Sequence, residues 1–223
     1  MHQTNIVLIK SVRGYNPTFG KDCYFAENST IIGDVIIGDQ VSVWFQAVIR
    51  GDVNSIRIGN KVNIQDGVII HGTYKKASTN IGDNVSIGSN CCIGHNSIIE
   101  KNVVIGDNCS IGSNTIIRNT ILKNHVKVLD GCVVGKKGFG FFPNNKNNYR
   151  FPQIGIVLIN DYSEIGCGST IDRGSISNTV IGKNTYLDNQ IHIAHNVKIG
   201  DNCIIAGQVG FAGSSILGNN VMI

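Results

Sequence analysis

An all-β solenoid, wound as a left-handed parallel β-helix of triangular coils, is the fold class this sequence predicts. Three observations carry the prediction. Ile81, Ile87, Ile93, Ile99, Ile105, Ile111 and Ile117 stand six residues apart without a break. Ile181, Leu187, Ile193, Ile199, Ile205, Phe211, Leu217 and Ile223 repeat the same step. The residue after each is usually Gly, Ala or Asp, and the fourth after it is small or β-branched, as at Val85, Cys91, Ser97, Val103, Cys109 and Thr115. Finally, 27 Gly against 3 Pro, with only 15% charged residues in 223, suits a regular architecture with many tight turns and argues against disorder.

A period of six matches neither an amphipathic helix nor one long alternating strand. It fits short strands, each ended by a turn where Gly, Asn and Asp are favoured. Three hexads close one triangular coil. Stacked coils pair their backbones about 4.8 Å apart and pile the aliphatics into an internal column. The handedness of such crossovers departs from the usual right-handed rule.

Taken in chain order, the N-terminal MHQTNIVLIKSVRG has no apolar run before a small-residue cleavage site, so a cytoplasmic location is expected. No apolar run approaches the ~20 residues of a membrane span. The net charge of +4 is too mild to point to nucleic acid. Ile37, Val43 and Ile49 keep the step of six; Ile58, Ile64 and Ile70 resume after a step of nine. The polar segment GTYKKASTN interrupts at 72–80. A longer loop at 136–153, between Val134 and Ile159, holds Phe139, Phe141, Phe142, Tyr149 and Phe151. So many aromatics in a loop should pack on a neighbouring subunit, a ligand or the solenoid's own flank.

The seven cysteines include no CxxC pair, and Cys91, Cys109, Cys132 and Cys203 all fall on the small inward position, where a thiol fits as a small apolar group. Neither a disulfide framework nor a cofactor is expected.

The stretch LDNQIHIAHNVKIGDN, 187–202, carries the candidate chemistry. His195 takes the third, outward place of its hexad, and His192 sits at the preceding corner. Asp188, seven residues before His195 and one side of the triangle away, could orient a ring nitrogen and raise its basicity. The regular coils around them give a rigid mount.

From about residue 81 onward the chain resembles the UDP-3-O-(3-hydroxyacyl)glucosamine N-acyltransferases of lipid A biosynthesis, the LpxD family. The segments that carry the likeness are GKKGFGF (135–141), FPQIG (151–155), STIDRG (169–174), LDNQIHIAHNVKIGDN and IAGQVGFAG (205–213). The resemblance implies transfer of a 3-hydroxyacyl chain from acyl carrier protein to the 2-amino group of a UDP-3-O-acylglucosamine. His195 would be the general base and Asp188 the carboxylate that holds and polarises it. His192 would contact substrate, and Gly207, Gly210 and Gly213 would leave room for a pantetheine arm or acyl chain. Phe139 and Phe141 join the substrate-binding set. Family members are homotrimers with sites between adjacent subunits. Lys136 and Lys137 could face an acidic carrier protein.

The family also has a separate uridine-gripping domain and further C-terminal coils that this sequence does not match, so a truncation is expected. Residues 4–88 instead resemble the γ-class carbonic anhydrases, in AENSTIIGDVIIGD and VSVWFQAVIRGDVNSIRIGNKVNIQDGVIIHGT. Arg50, Asp52 and Gln65 match that family's pattern, and His71 matches its first zinc ligand. The two further ligand positions fall on Ser89 and Gly94, with His95 one place off, so His71 reads as a remnant and no metal is expected. The chain thus reads as a composite, with γ-carbonic-anhydrase-like coils at 1–80 and acyltransferase-like coils at 81–223. Two other readings stay open: a non-catalytic trimeric scaffold, and a zinc protein drawing ligands from His71, His95 and His125.

Overall fold

The computed structural model describes residues 6–72, 74 and 78–223. The N-terminal five residues and part of the 72–80 insertion therefore lie outside the described residues. Among the described residues every regular element is a strand, and the strands stack as a parallel solenoid with three walls, the left-handed β-helix the hexads predict.

Wall 1 runs through Cys92–Ile93, Ser110–Ile111, Lys127–Val128, Glu164–Ile165, Tyr186–Leu187 and Ile204–Ile205. Wall 2 runs through Ile98–Ile99, Ile116–Ile117, Val133–Lys136, Thr170–Asp172, His192–Ile193 and Gly210–Phe211. Wall 3 comprises ten strands, from Tyr24–Phe25 to Ile216–Leu217. In every wall like stacks on like: Ile87 on Ile105, Ile93 on Ile111, Ile99 on Ile117.

The column of inward aliphatics is one cluster from Ile31 to Ile205, continuous across residues 81–88. Each such side chain taken out of water contributes roughly 1.5–3 kcal/mol. The second inward position explains its own residue choice. Ser97, Thr115 and Thr185 donate from their hydroxyls to carbonyls of the following coil at 2.8–3.1 Å. Cys91, Cys109, Cys132 and Cys203 place Sγ 3.0–3.1 Å from the corresponding carbonyls. The thiols are thus space-filling and weak donors at once, and all seven cysteines are free. Burial pushes the Cys132 thiol up to about 11.

Turns carry the other half of the repeat. Asn84, Asn90, Asn96, Asn102, Asn108 and Asn114 all hold φ between 56° and 62°, a left-handed conformation that Asn tolerates better than most residues. The step of nine at Ile49–Ile58 is taken by one continuous strand, Val48–Ile58, which turns the corner between walls 1 and 2 with a register shift. The long loop leaves after Val133–Lys136 and re-enters at Val157–Ile159, that is, at the corner between walls 2 and 3. It forms a small antiparallel hairpin, Phe141–Phe142 against Tyr149–Arg150. Its aromatics do not cover the prism's flank, since Phe139 is 82% exposed and Phe142 and Tyr149 are exposed too. No helix of the described residues is long and apolar enough to cross a membrane.

Candidate functional site

His195 follows wall-2 strand His192–Ile193, so it stands at the corner between walls 2 and 3, the same corner from which the long loop departs two coils earlier. The loop folds back over it. A methyl group added at Gly138 would lie 2.8 Å from His195 Cβ and 2.9 Å from Gln153 Oε1; one at Gly213, in the coil beyond, would lie 2.7 Å from His195 Nε2. The imidazole is therefore held between glycines on both sides, and only glycine leaves it that space. Beside Gly140 the loop opens into a cleft of about 610 Å³, lined by Phe139, Phe141, Pro143 and Asn148. Phe139 and Phe141 meet edge to face at 5.1 Å, and the Arg150 guanidinium sits 4.5 Å over the Phe141 ring.

Several polar contacts pin the loop to the prism. Within the loop itself, Arg150 Nη1 donates to the Gly138 carbonyl at 2.8 Å and closes it on itself. Arg173 donates to the carbonyls of Gly155 and Ile154 at 2.6 and 2.9 Å, and burial lowers the pKa of its guanidinium. Lys136 pairs with Asp172, which is fully buried and whose Oδ2 has no hydrogen-bond partner among the described residues. Lys136 is thus engaged inward rather than presented to a docking protein; Lys137 is exposed.

Asn196, next to the imidazole, sets its hydrogen-bonding state. Asn196 Oδ1 accepts from the Ser175 backbone N–H at 2.7 Å, which turns its amide nitrogen toward Ser175 Oγ at 2.6 Å and His195 Nδ1 at 3.2 Å. With Asn196 donating, Nδ1 is the acceptor and the hydrogen of a neutral ring sits on Nε2.

Asp188 does not join His195 within one chain. It follows wall-1 strand Tyr186–Leu187 and occupies the corner between walls 1 and 2, where a methyl group at Gly207 would lie 3.0 Å from its Oδ2. About four extended residues of wall 2, roughly 13 Å at 3.3 Å each, separate the two corners. The expectation that Asp188 lies within reach of the ring across one side of the triangle is therefore not met inside the chain. The glycine expectation is refined as well. Gly213 and Gly207 make room for His195 and Asp188, while Gly210 faces open space beside the wall. His192 points outward on wall 2 with Nδ1 2.8 Å from Thr170 Oγ1.

The N-terminal histidine belongs to a different arrangement. His71 Nε2 lies 3.2 Å from Asp52 Oδ1 and 3.1 Å from Arg50 Nη2, at the corner between walls 1 and 2. Burial would raise the Asp52 carboxyl, but the Arg50 hydrogen bond and charge outweigh it and hold it below its ordinary value. His95, a coil further on, shares Nδ1 with Ser113 Oγ at 2.9 Å. His125 stands at the third corner, stacked on Tyr162 at 4.5 Å. The three imidazoles do not converge, and among the described residues no group of three or more His, Cys, Asp or Glu is placed to hold a metal ion. They do not fit a zinc centre.

Gln153, Asn196, Arg150 and the Lys136–Asp172 pair escape a reading of the sequence by period. Gln153 lies inside the FPQIG segment, yet nothing in the repeat says that a residue of the loop returns to a coil some forty residues later.

Comparison with known proteins agrees with the repeat. The bacterial transferase hexapeptide (six repeats) model matches residues 84–119 and 178–213. A UDP-3-O-acylglucosamine N-acyltransferase of Geobacter sp. strain M21 is 51% identical over 90 residues, 40% of this chain and 26% of that protein. One from Bradyrhizobium sp. strain BTAi1 is 42% identical over 156 residues, 70% of this chain and 42% of that protein. The matches therefore span less than half the length of these relatives. Among solved structures, a UDP-N-acetylglucosamine O-acyltransferase from Moraxella catarrhalis is 25% identical with a TM-score of 0.43, over 70% of this chain and 51% of that one.

Proposed function

We propose that this hexapeptide-repeat chain is an N-acyltransferase of the lipid A pathway. It would move a 3-hydroxyacyl group from the thioester of acyl carrier protein to the amine of a UDP-3-O-acylglucosamine. The observation that carries the proposal is the seat of His195: an imidazole walled by Gly138, Gly140 and Gly213, with Gly140 also lining an aromatic cleft of about 610 Å³.

The chemistry assigns each part a task. The neutral amine attacks the thioester carbonyl carbon, a C–N bond forms, and His195 takes one N–H proton. The C–S bond then breaks, and the imidazolium returns that proton to the departing thiolate. An imidazole suits this exchange because its pKa lies near working pH. For Nε2 to accept the proton, Nδ1 must carry a hydrogen and donate it. Asn196 cannot receive it, since its amide nitrogen faces the ring. In this reading the acceptor is Asp188 of a neighbouring subunit in a homotrimer, which exchanges the tautomer and leaves the Nε2 lone pair facing the cleft. Thr170 fixes His192 toward the substrate side of wall 2.

The test is acyl transfer from 3-hydroxyacyl carrier protein to the UDP-acylglucosamine, comparing the chain with His195→Ala. A hundredfold or greater drop supports the proposal; equal rates end it.

A second reading concerns lineage. On the sequence likeness alone, residues 1–80 would descend from a γ-carbonic-anhydrase-like protein; in the structure its matching residues Arg50, Asp52 and His71 contact one another at 3.1–3.2 Å. Elemental analysis near one zinc per subunit would contradict that closed arrangement.

A further inference from the structure

We infer that the outer face of wall 1 is the acceptor subsite, a groove that takes a phosphorylated amino sugar with its anionic group at one edge of the wall and its ring at the other; this rests on the acyltransferase reading of the His195 site.

Two hollows on that face run into each other. One, of about 300 Å³, lies at the edge that carries Asp188; the other, of about 230 Å³, lies at the far edge, the corner between walls 3 and 1. Glu164 and Tyr186 line both, so the two form one groove across the wall. From Tyr162 to Gly166 it spans four residues, roughly 13 Å at 3.3 Å each. Its ends differ in charge. His125 and Lys127 line the far end, and Lys183 Nζ stands 5.7 Å over the Tyr162 ring. The aspartates of that edge, Asp107, Asp161 and Asp201, are engaged along it, each accepting a backbone N–H of the preceding coil at 2.7–2.9 Å. Asp188 and Asn189 line the near end, with the exposed Tyr186 between.

The far edge also departs from the repeat. Asn90, Asn108, Asn184, Asn202 and Asn220 hold its left-handed turn position, and the amides of Asn90 and Asn184 donate to Asn108 and Asn202. The two places between carry His125 and Tyr162, at φ of 58° and 61°, with their rings stacked at 4.5 Å. A bulky ring in that conformation is an outlier that asparagine would relieve, so the stack needs a reason beyond the turn. A phosphate supplies one. It accepts from a His125 N–H, from Lys183 held over the Tyr162 ring, and from Lys127, whose pairing with Glu164 at 3.6 Å is long enough to be shared. A sugar ring presents C–H bonds on one face and polar groups around its rim. Tyr186 offers a flat apolar surface to that face, and Glu164 and Asn189 offer acceptors and a donor to the rim. In the trimer proposed above, the Asp188 corner of one chain meets the His195 corner of the next. Both corners bound wall 2, so wall 1 stays outside, its groove open to solvent and ending where the neighbour's imidazole takes the amine proton. Donor and acceptor thus approach from different chains, the acyl group along the aromatic hairpin and the sugar along wall 1.

The experiment measures calorimetric binding of the UDP-3-O-acylglucosamine to the His195→Ala chain, which keeps the groove without turning the acceptor over. Chains that retain His195 give KM for the acceptor and for the acyl carrier protein. Into each are placed Tyr186→Leu, Tyr186→Phe, and the pair His125→Asn with Tyr162→Asn, which restores the asparagine ladder. Tyr186→Leu and the paired substitution should each raise Kd and KM for the acceptor about tenfold, while Tyr186→Phe stays within about twofold. KM for the carrier protein should hardly move, and the unfolding midpoint of the paired variant should hold or rise, since strained turns are relieved. An acceptor that does not bind, an acceptor Kd unmoved by these substitutions, or equal rises in both KM values would overturn the inference. Binding that they weaken, with no transfer by wild type, would keep the groove and remove the acyltransferase reading beneath it.

Discussion

Two corners of the prism each carry a histidine, and they differ in what the neighbouring groups leave over. At the N-terminal corner, His71, Asp52 and Arg50 satisfy one another through contacts of 3.1–3.2 Å. The hollow beside them, lined by Arg13, Tyr15 and Asp34 among others, is about 230 Å³. At the C-terminal corner, Gly138 and Gly213 press on His195 from two sides, a buried Gln153 oxygen lacks a partner among the described residues, and the cleft beside Gly140 is about 610 Å³. A closed ion cluster stabilises a corner.

The contrast is broken most severely by exchanging the two histidines' fates. His195→Ala should abolish transfer by a hundredfold or more, whereas His71→Ala should leave the rate within about twofold. Rates that fall together would mean that the N-terminal corner shares in the chemistry.

Next in size is a perturbation of position alone. Gly213→Ala places a methyl group 2.7 Å from the ring, which must swing aside. A shift of about 1 Å at a catalytic group costs up to ~100-fold, so activity should fall at least tenfold while the unfolding midpoint stays nearly constant. Gly67→Ala, near the N-terminal corner's coils, should show the reverse pattern. Its residue adopts φ of 65°, so stability falls and catalysis does not.

The column beneath both corners should respond alike wherever it is cut. Ile49→Ala and Ile193→Ala remove fully buried side chains and should each cost about 2–5 kcal/mol in chemical denaturation. A marked difference between them would show that the stacked coils do not form one continuous core.

The smallest effect is electrostatic. The folded-state pKa of Asp52 is depressed, so its contribution is present above the ordinary carboxylate value near 3.9 and is lost as pH falls through the lower folded value. Wild type should therefore lose stability relative to Asp52→Asn on acidification below about pH 4, and thermal unfolding across that range measures it.

The fold was legible because its cause is local. A step of six in Ile, Leu and Val can be read without knowing what any residue touches, and the buried cysteines fall on its second inward place. The corner of His195 could be derived by counting hexads. Its surroundings could not. Gly138, Gly140 and Gln153 lie in a segment where the period is suspended, and the return of that loop to His195 depends on anchors such as Arg173 and the Lys136–Asp172 pair that carry no repeat. Asp188 marks the other limit. Seven residues along a six-residue period look close in sequence but put the carboxylate on the preceding edge.

Mixing two inactive variants tests that last step most directly. His195→Ala retains Asp188, and Asp188→Ala retains His195, so the proposed trimer, reassembled from equal amounts, should hold about a quarter of its interfaces with both groups intact. Recovery of activity to that order, from two preparations each nearly inactive alone, is the result expected. Activity in the mixture no greater than the sum of the two separate preparations, with exchange of subunits confirmed, would contradict a site built between chains.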